Sequence, residues 1–174
     1  GLCRRYLGGN GFAARWIADA PACECEPDAP ENMLVLATGP MTGTPVWGTT
    51  RGHMAGISPL TGLLADSNFG GAFAPAQKRA GYDAVVLTGR ADAPVYLELT
   101  PDGPALRDAG ELWGMDTQQS NAAMIERVGG KGAQAVSIGP AGENEVRYAC
   151  WVCSGRRPGV AGRGGLGAVA GGKN

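Results

Sequence analysis

Short apolar runs separated by glycine- and proline-rich turns recur along the whole chain and predict strands interleaved with single helices. The runs that read as strands cover residues 33–37, 51–57, 82–88, 94–99, 105–107, 135–138 and 146–152. A further strand through Leu63 and Leu64 is expected to carry Asp66, Ser67 and Asn68 at its end. Turns at 91–93 and at Asp102-Gly103 favour hairpins. Because hairpins are frequent, the pattern predicts an α+β fold rather than a doubly wound sheet.

Four short helices complete this outline. The first follows Gly8-Gly9-Asn10-Gly11 and ends near residue 18, and the second covers 72–80, with Pro75 in its first turn. A third runs from a cap at Asp116 or Thr117 to about Val128, with an apolar face that contains Ala122, Ala123, Met124 and Ile125. The last follows Gly164-Gly165.

A glycine pattern occurs once in each half of the chain. An apolar run enters Gly39-Pro40 in the first half and Gly139-Pro140 in the second, and each is followed by an arginine and a glycine pair. Gly70-Gly71 and Gly164-Gly165 are both expected to precede helices, whose free N–H groups would suit an anion. The duplication therefore predicts two similar β-rich halves that hold one large, polar, anionic ligand between them.

Composition limits the function classes. The chain has 174 residues, with 15 basic and 16 acidic side chains and a net charge of −1, which disfavours nucleic-acid or membrane-surface binding by bulk charge. No apolar stretch reaches the length of a membrane span, and no signal peptide is visible, so we expect a cytoplasmic protein. The ends at Gly1 and Asn174 suggest a fragment of a longer chain.

Arginines among small residues are the strongest candidates for ligand contact. Arg51 and Arg163 occupy matching places in the two halves, where a guanidinium could bind an anion through two hydrogen bonds. Asn68 could offer an oxygen to a hard cation such as magnesium. His53 has no acidic or nucleophilic partner at a telling spacing, and Asp66 and Glu143 look like solvated or capping carboxylates.

The cysteines do not indicate a metal site. Five are present, so they give no even disulfide framework, and neither Cys23-Glu24-Cys25 nor Cys150–Cys153 has the paired spacing of a zinc or iron–sulfur motif. Cys150 and Cys153 are expected on opposite faces of one strand. Gly162–Gly167 superficially resembles a dinucleotide fingerprint, but its spacing is wrong and no confident parallel strand leads directly into it.

Several segments, taken together, strongly resemble the N-terminal domain of aldehyde:ferredoxin oxidoreductases. They keep the family's order and spacing over the whole chain, residues 1–174, and lie at 37–44, 58–62, 66–71, 80–86, 112–117, 138–144 and 161–169. The most distinctive are Asp66-Ser67-Asn68-Phe69-Gly70-Gly71 and Gly162-Arg163-Gly164-Gly165.

The resemblance implies two pseudo-symmetric halves that cradle a tungsten or molybdenum bis-pterin cofactor, with the metal held by the pterin dithiolenes. Cofactor contacts would come from Arg51, Asn68, Gly70, Gly71, Gly162 and Arg163. Backbone carbonyls of Asn68 and Val160 would hold a magnesium ion between the pterin phosphates. The full-length enzyme would oxidise an aldehyde to a carboxylic acid and pass electrons through a 4Fe-4S cluster, bound by later domains, to ferredoxin. The family also allows a homodimer.

Two departures from the family pattern affect the cofactor region. The usual Gly-Gly-Arg-Gly is Gly8-Gly9-Asn10-Gly11, which removes a cation, and Gly159 replaces an arginine ahead of Val160-Ala161. Three alternatives therefore stay open: a related low-potential reductase subunit of the aromatic acyl-CoA type, a non-catalytic cofactor carrier, and a nucleotide-binding module built on Gly162–Gly167.

Overall fold

The structure is a computed structural model that describes residues 1–20 and 25–174. The first half contains helices α1 (Leu2–Tyr6), α2 (Asn10–Asp19) and α3 (Phe73–Arg79) and strands β1 (Leu34–Thr38), β2 (Gly52–Ile57), β3 (Leu64–Phe69) and β4 (Ala84–Leu87). The second contains β5 (Val95–Thr100), β6 (Gly103–Asp108), α4 (Thr117–Val128), β7 (Val136–Ser137), α5 (Gly139–Glu143), β8 (Trp151–Cys153), β9 (Val160–Ala161) and α6 (Leu166–Gly171). The α+β prediction is confirmed.

A four-stranded antiparallel sheet in the order β3-β2-β1-β4 organises the first half. Helix α2 covers one face, where Ala13 and Ile17 pack against Val35, Ala55 and other apolar side chains. Both faces of β1 are buried, which explains why its sequence is continuously apolar instead of alternating.

The second half covers the opposite face of this sheet. Leu36, Met54 and Phe69 from the sheet share a core with Trp151 and Leu166. Inside this core the Trp151 indole N–H donates a 2.9 Å hydrogen bond to the Leu166 carbonyl. Burial of this shared apolar surface is the main force holding the two halves together.

Strands β5 and β6 form a separate hairpin, and β7, β8 and β9 form a small antiparallel sheet. The predicted cap of α4 is confirmed, because the Asp116 carboxylate accepts from the Gln118 and Gln119 amides. The Gln119 side chain completes a capping box by accepting from the Asp116 amide. Asn121 ties α4 to β8 through a 3.0 Å hydrogen bond to the Val152 carbonyl.

Some of the predicted local structure is wrong. Residues 91–93 do not close a hairpin, since β4 and β5 belong to different sheets. The strand predicted over 146–152 is formed only at 151–153, because residues 146–149 turn to pack beside α5 and α6. Asp66 lies in the middle of β3, not at its end.

The apolar face predicted for α4 also needs correction. Ser120 and Asn121 are its buried residues, whereas Ala122 is exposed and Met124 and Ile125 are only half-buried. The polar pair is buried because Asn121 bonds to β8 and Ser120 donates to the Asp116 carbonyl.

Asn32 fixes the end of the main sheet. Its side chain is fully buried; Oδ1 accepts from the Ile57 amide at 3.0 Å, and Nδ2 donates to the Ile57 carbonyl at 2.9 Å. The amide thus imitates one more residue pair of a β-ladder, just before β1 begins and where β2 ends. A second bond from Nδ2 to Pro27 holds the preceding loop.

We predict that Asn32→Ala lowers the free energy of unfolding by about 2–4 kcal/mol, because it leaves the buried Ile57 N–H and C=O groups without partners. Asn144→Ala is the matched control, since Asn144 is exposed and donates only to Pro140 in its own helix. The two variants are compared by denaturant unfolding. Equal stability of both would contradict this role.

Candidate cofactor site

The two predicted glycine segments meet in space, at a place that we call the glycine junction: Gly70-Gly71 and residues 159–165. Gly159 lies against Gly70 so closely that a Cβ on Gly159 would overlap the Gly70 carbonyl. Gly164, with φ +73°, lies against Ala65, where a Cβ would overlap the Ala65 side chain. Residues 159–165 therefore run along the edge of β3, in the direction opposite to it.

Hydrogen bonds fix the junction in this position. Ser67 is buried in β3, and its hydroxyl accepts a 3.1 Å hydrogen bond from the Arg163 amide. The Cys153 amide donates to the Gly159 carbonyl at 2.8 Å and so joins the segment to β8. Ser67 was not predicted as a site residue; the signal for it is a polar residue between Ala65 and Phe69, on the inward side of a period-two strand.

Arg51 stands beside the same junction. It precedes β2, its side chain is exposed, and its Nη1 lies 4.0 Å from the position that a Cβ on Gly70 would take. Thr42 is buried behind it and donates from Oγ1 to the Arg51 carbonyl at 3.2 Å, while the same oxygen accepts from the Gly39 amide. The Gly39-Pro40 turn thus holds the backbone that carries Arg51.

Arg51 and Arg163 are both exposed, and neither forms a salt bridge within residues 1–20 and 25–174. Two guanidinium groups on either side of exposed backbone make a surface that attracts anions such as phosphates. Gly71, Gly162 and Val160 are exposed on this surface as well, and Gly70 is half-buried. The structure therefore brings the predicted residues of the two halves to one junction.

Asn68 and Val160 flank the contact between Gly70 and Gly159. Asn68 is exposed on β3, two residues before Gly70, and Val160 directly follows Gly159 in β9, which contacts β3. Backbone and amide oxygens are ligands that magnesium accepts. Over the described parts of the chain, no group of three or more His, Cys, Asp or Glu side chains is arranged to hold a metal ion.

One part of the anion-site prediction is wrong. The start of α6, after Gly164-Gly165, is buried, and its Gly167 amide already donates to the Ala149 carbonyl at 3.0 Å. This helix end is therefore not free for a ligand. In the second half the accessible part is the preceding loop with Gly162 and Arg163.

His53 has an acidic neighbour that its sequence spacing does not reveal. It pairs with Asn68 across β2 and β3, and its Nδ1 lies 3.6 Å from the Asp66 carboxylate. This separation is longer than a hydrogen bond, and Nδ1 is buried with no hydrogen-bond partner among the described residues. Gly9 covers the ring, since a Cβ there would lie 2.9 Å from His53 Cδ2. The Gly8–Gly11 motif thus lies next to the site.

The other candidates have structural roles or stay away from the junction. Glu143 accepts a 2.8 Å hydrogen bond from the Gly114 amide. Cys153 is on the same buried face of β8 as Trp151, and burial raises the pKa of its thiol to about 12, so it is neutral at physiological pH. Cys150 precedes β8, and Cys23 lies outside the described residues.

A family comparison agrees with this geometry. An α+β domain whose halves meet at a glycine junction flanked by two arginines fits a class of domains that hold a large anionic cofactor. The family model described as "Aldehyde ferredoxin oxidoreductase, N-terminal domain" matches residues 1–174, and the chain belongs to this family.

Relatives and a solved structure extend the match. The chain is 43% identical to the tungsten-containing aldehyde ferredoxin oxidoreductase of Pyrococcus abyssi and 42% identical to that of Pyrococcus horikoshii, each over 99% of this chain. It spans 28% of the length of each of these relatives. The active site complex BamBC of benzoyl coenzyme A reductase with 1,5-dienoyl-CoA aligns at a TM-score of 0.93 and 40% identity, over 99% of this chain and 26% of that one.

We predict that Gly159→Ala destabilises the protein by about 1–3 kcal/mol, because its methyl group would force the 159–165 segment away from Gly70. Gly162→Ala is the matched control for stability, since its Cβ would meet only Val160, at an ordinary distance of 3.5 Å. Thermal unfolding measures the difference. Equal melting temperatures for the two variants would show that the close approach does not matter.

Proposed function

We propose that this chain is the cofactor-binding domain of a longer oxidoreductase and that it holds a tungsten or molybdenum bis-pterin. The full-length enzyme oxidises an aldehyde to a carboxylic acid and passes the electrons through an iron–sulfur cluster to ferredoxin. Support comes from the family match and from relatives named as tungsten-containing aldehyde ferredoxin oxidoreductases. The iron–sulfur ligands belong to later domains.

The observation that carries this proposal is the contact between Gly70 and Gly159. It leaves exposed backbone from both halves on one surface, between Arg51 and Arg163, where side chains at the glycines would block a ligand. Each half would serve one pterin, which fits the predicted pseudo-symmetric arrangement. The two guanidinium groups would bind the anionic parts of the cofactor.

The domain contributes binding and electrostatics. Arg51, Gly70 and Gly71 would contact the cofactor from the first half, and Gly162 and Arg163 from the second. The carbonyls of Asn68 and Val160 would hold a magnesium ion next to its phosphates. The bound cofactor supplies the redox chemistry of the metal, as is usual for cofactor enzymes. Asn10, which replaces the family's arginine, removes one positive charge here, so Arg51 and Arg163 carry more of the anion binding.

The surroundings of the enzyme follow from the same proposal. No helix within the described residues is both long and apolar enough to cross a membrane. We propose a cytoplasmic enzyme, free or as a homodimer, that meets ferredoxin or another iron–sulfur electron carrier.

A second candidate function has its own support. The structural match to a benzoyl coenzyme A reductase complex favours a low-potential reductase that acts on aromatic acyl-CoA thioesters. Both candidates use the same cofactor site, so the domain serves either. Assays of the full-length protein for aldehyde oxidation and for reduction of an aromatic acyl-CoA thioester distinguish the two.

We predict that Arg51→Ala in the full-length protein lowers the tungsten or molybdenum content per protein, because it removes a cation at the junction. Arg107→Ala is the matched control, since Arg107 is exposed on β6 and pairs with Glu98. Metal content is measured by elemental analysis after anaerobic purification. Normal occupancy in Arg51→Ala would count against the assignment.

A further inference from the structure

A large apolar groove lies on the side of the second half away from the glycine junction. Its volume is about 820 Å³, and it separates α3 and β4 from the β5–β6 hairpin and α4. Side chains that line it include Phe73, Val85, Leu97, Leu99, Met124 and Ile125. Its floor reaches Leu36 and Trp151 of the shared core. We call it the hairpin groove.

The elements around the hairpin groove leave their apolar sides uncovered. All six residues of β5 are half-buried, and Met124 and Ile125 of α4 are half-buried although they are the apolar residues of this helix. Helices and sheets in stable proteins cover such a side with another element. An apolar groove of this size therefore indicates a missing neighbour.

The end of the chain lies in the same groove. Asn174 lines it, and the Asn174 carbonyl accepts a 3.0 Å hydrogen bond from the amide of Val95, the first residue of β5. The Asn174 side chain donates to the Ala91 carbonyl at 2.8 Å, so this end is held firmly. The Cα atom of a following residue would lie only about 3.8 Å from that of Asn174.

We propose that the polypeptide directly following Asn174 in the full-length protein fills the hairpin groove with apolar side chains. This inference rests on the proposed function, under which the chain is the first domain of a longer enzyme; the relatives are long enough, since the chain spans only 28% of them.

Tethering favours this occupant over a second copy of the chain. A segment attached at the groove has a high effective concentration there and needs no encounter with a partner. The charged residues around the groove include Arg79, Arg90 and Lys131 as well as Glu98 and Glu143, so the lining shows no single sign of charge that would select a charged partner. Filling the groove would lock the hairpin and α4 onto the rest of the domain.

Photo-cross-linking of the full-length protein tests the proposal. A benzoyl-phenylalanine is placed at position 97 or 125, and the cross-linked peptides are identified by mass spectrometry. We expect cross-links to the peptide that continues from Asn174. Cross-links to a second copy, to a distant part of the chain or to no peptide would overturn the proposal. Tyr148, which is 75% exposed and outside the groove, is the control position and is expected to give no such cross-link.

A second measurement needs no substitution. Hydroxyl-radical oxidation of the full-length wild-type protein compares Met124 in the groove with Met54, which is fully buried. We expect Met124 to be protected as well as Met54 is. Oxidation of Met124 at the rate of an exposed methionine would overturn the proposal. Tungsten content of the same preparation reports on the proposed function independently, so a failure of one is distinguishable from a failure of the other.

Discussion

The approach of the Gly159 backbone to Gly70 is the contact around which the rest of this domain is arranged. No side chain fits between the two residues, and the Arg163 amide, four residues later, reaches the buried Ser67 hydroxyl. Since residues 159–165 cover the edge of β3, they leave only a short part of that edge strand open. The contact connects the four-stranded sheet to β8 and β9, and it places the exposed loops of both halves at one surface.

Charge gives this surface its selectivity. Arg51 and Arg163 approach it from different halves, and the described residues offer neither of them a carboxylate partner. Exposed guanidinium groups remain hydrated, so each alone binds an anion weakly. Later domains that exclude water from the junction would strengthen both interactions, because a lower local dielectric increases electrostatic attraction. The domain therefore provides half of a site that the rest of the enzyme completes.

The sequence predicts much of the local structure and the correct site residues, for physical reasons that differ between elements. The strands β1 and β2, the capped helix α4 and the Asp102-Gly103 hairpin depend on nearby residues, so their patterns are readable. The departures arise from contacts between distant residues. Asn121 is buried because it meets Val152, and the start of α6 is closed because it meets Ala149. Gly159 is a departure from the family pattern in the sequence, yet the fold uses its missing side chain.

The central claim is that the cofactor metal lies beside the glycine junction. Anomalous X-ray scattering at a tungsten absorption edge, from crystals of the full-length enzyme, locates the metal directly. The account predicts one peak per subunit next to Gly70 and Gly162, within reach of a cofactor that also touches Arg51. A metal peak far from this junction, with Gly70 and Gly162 in contact only with protein or solvent, would contradict it.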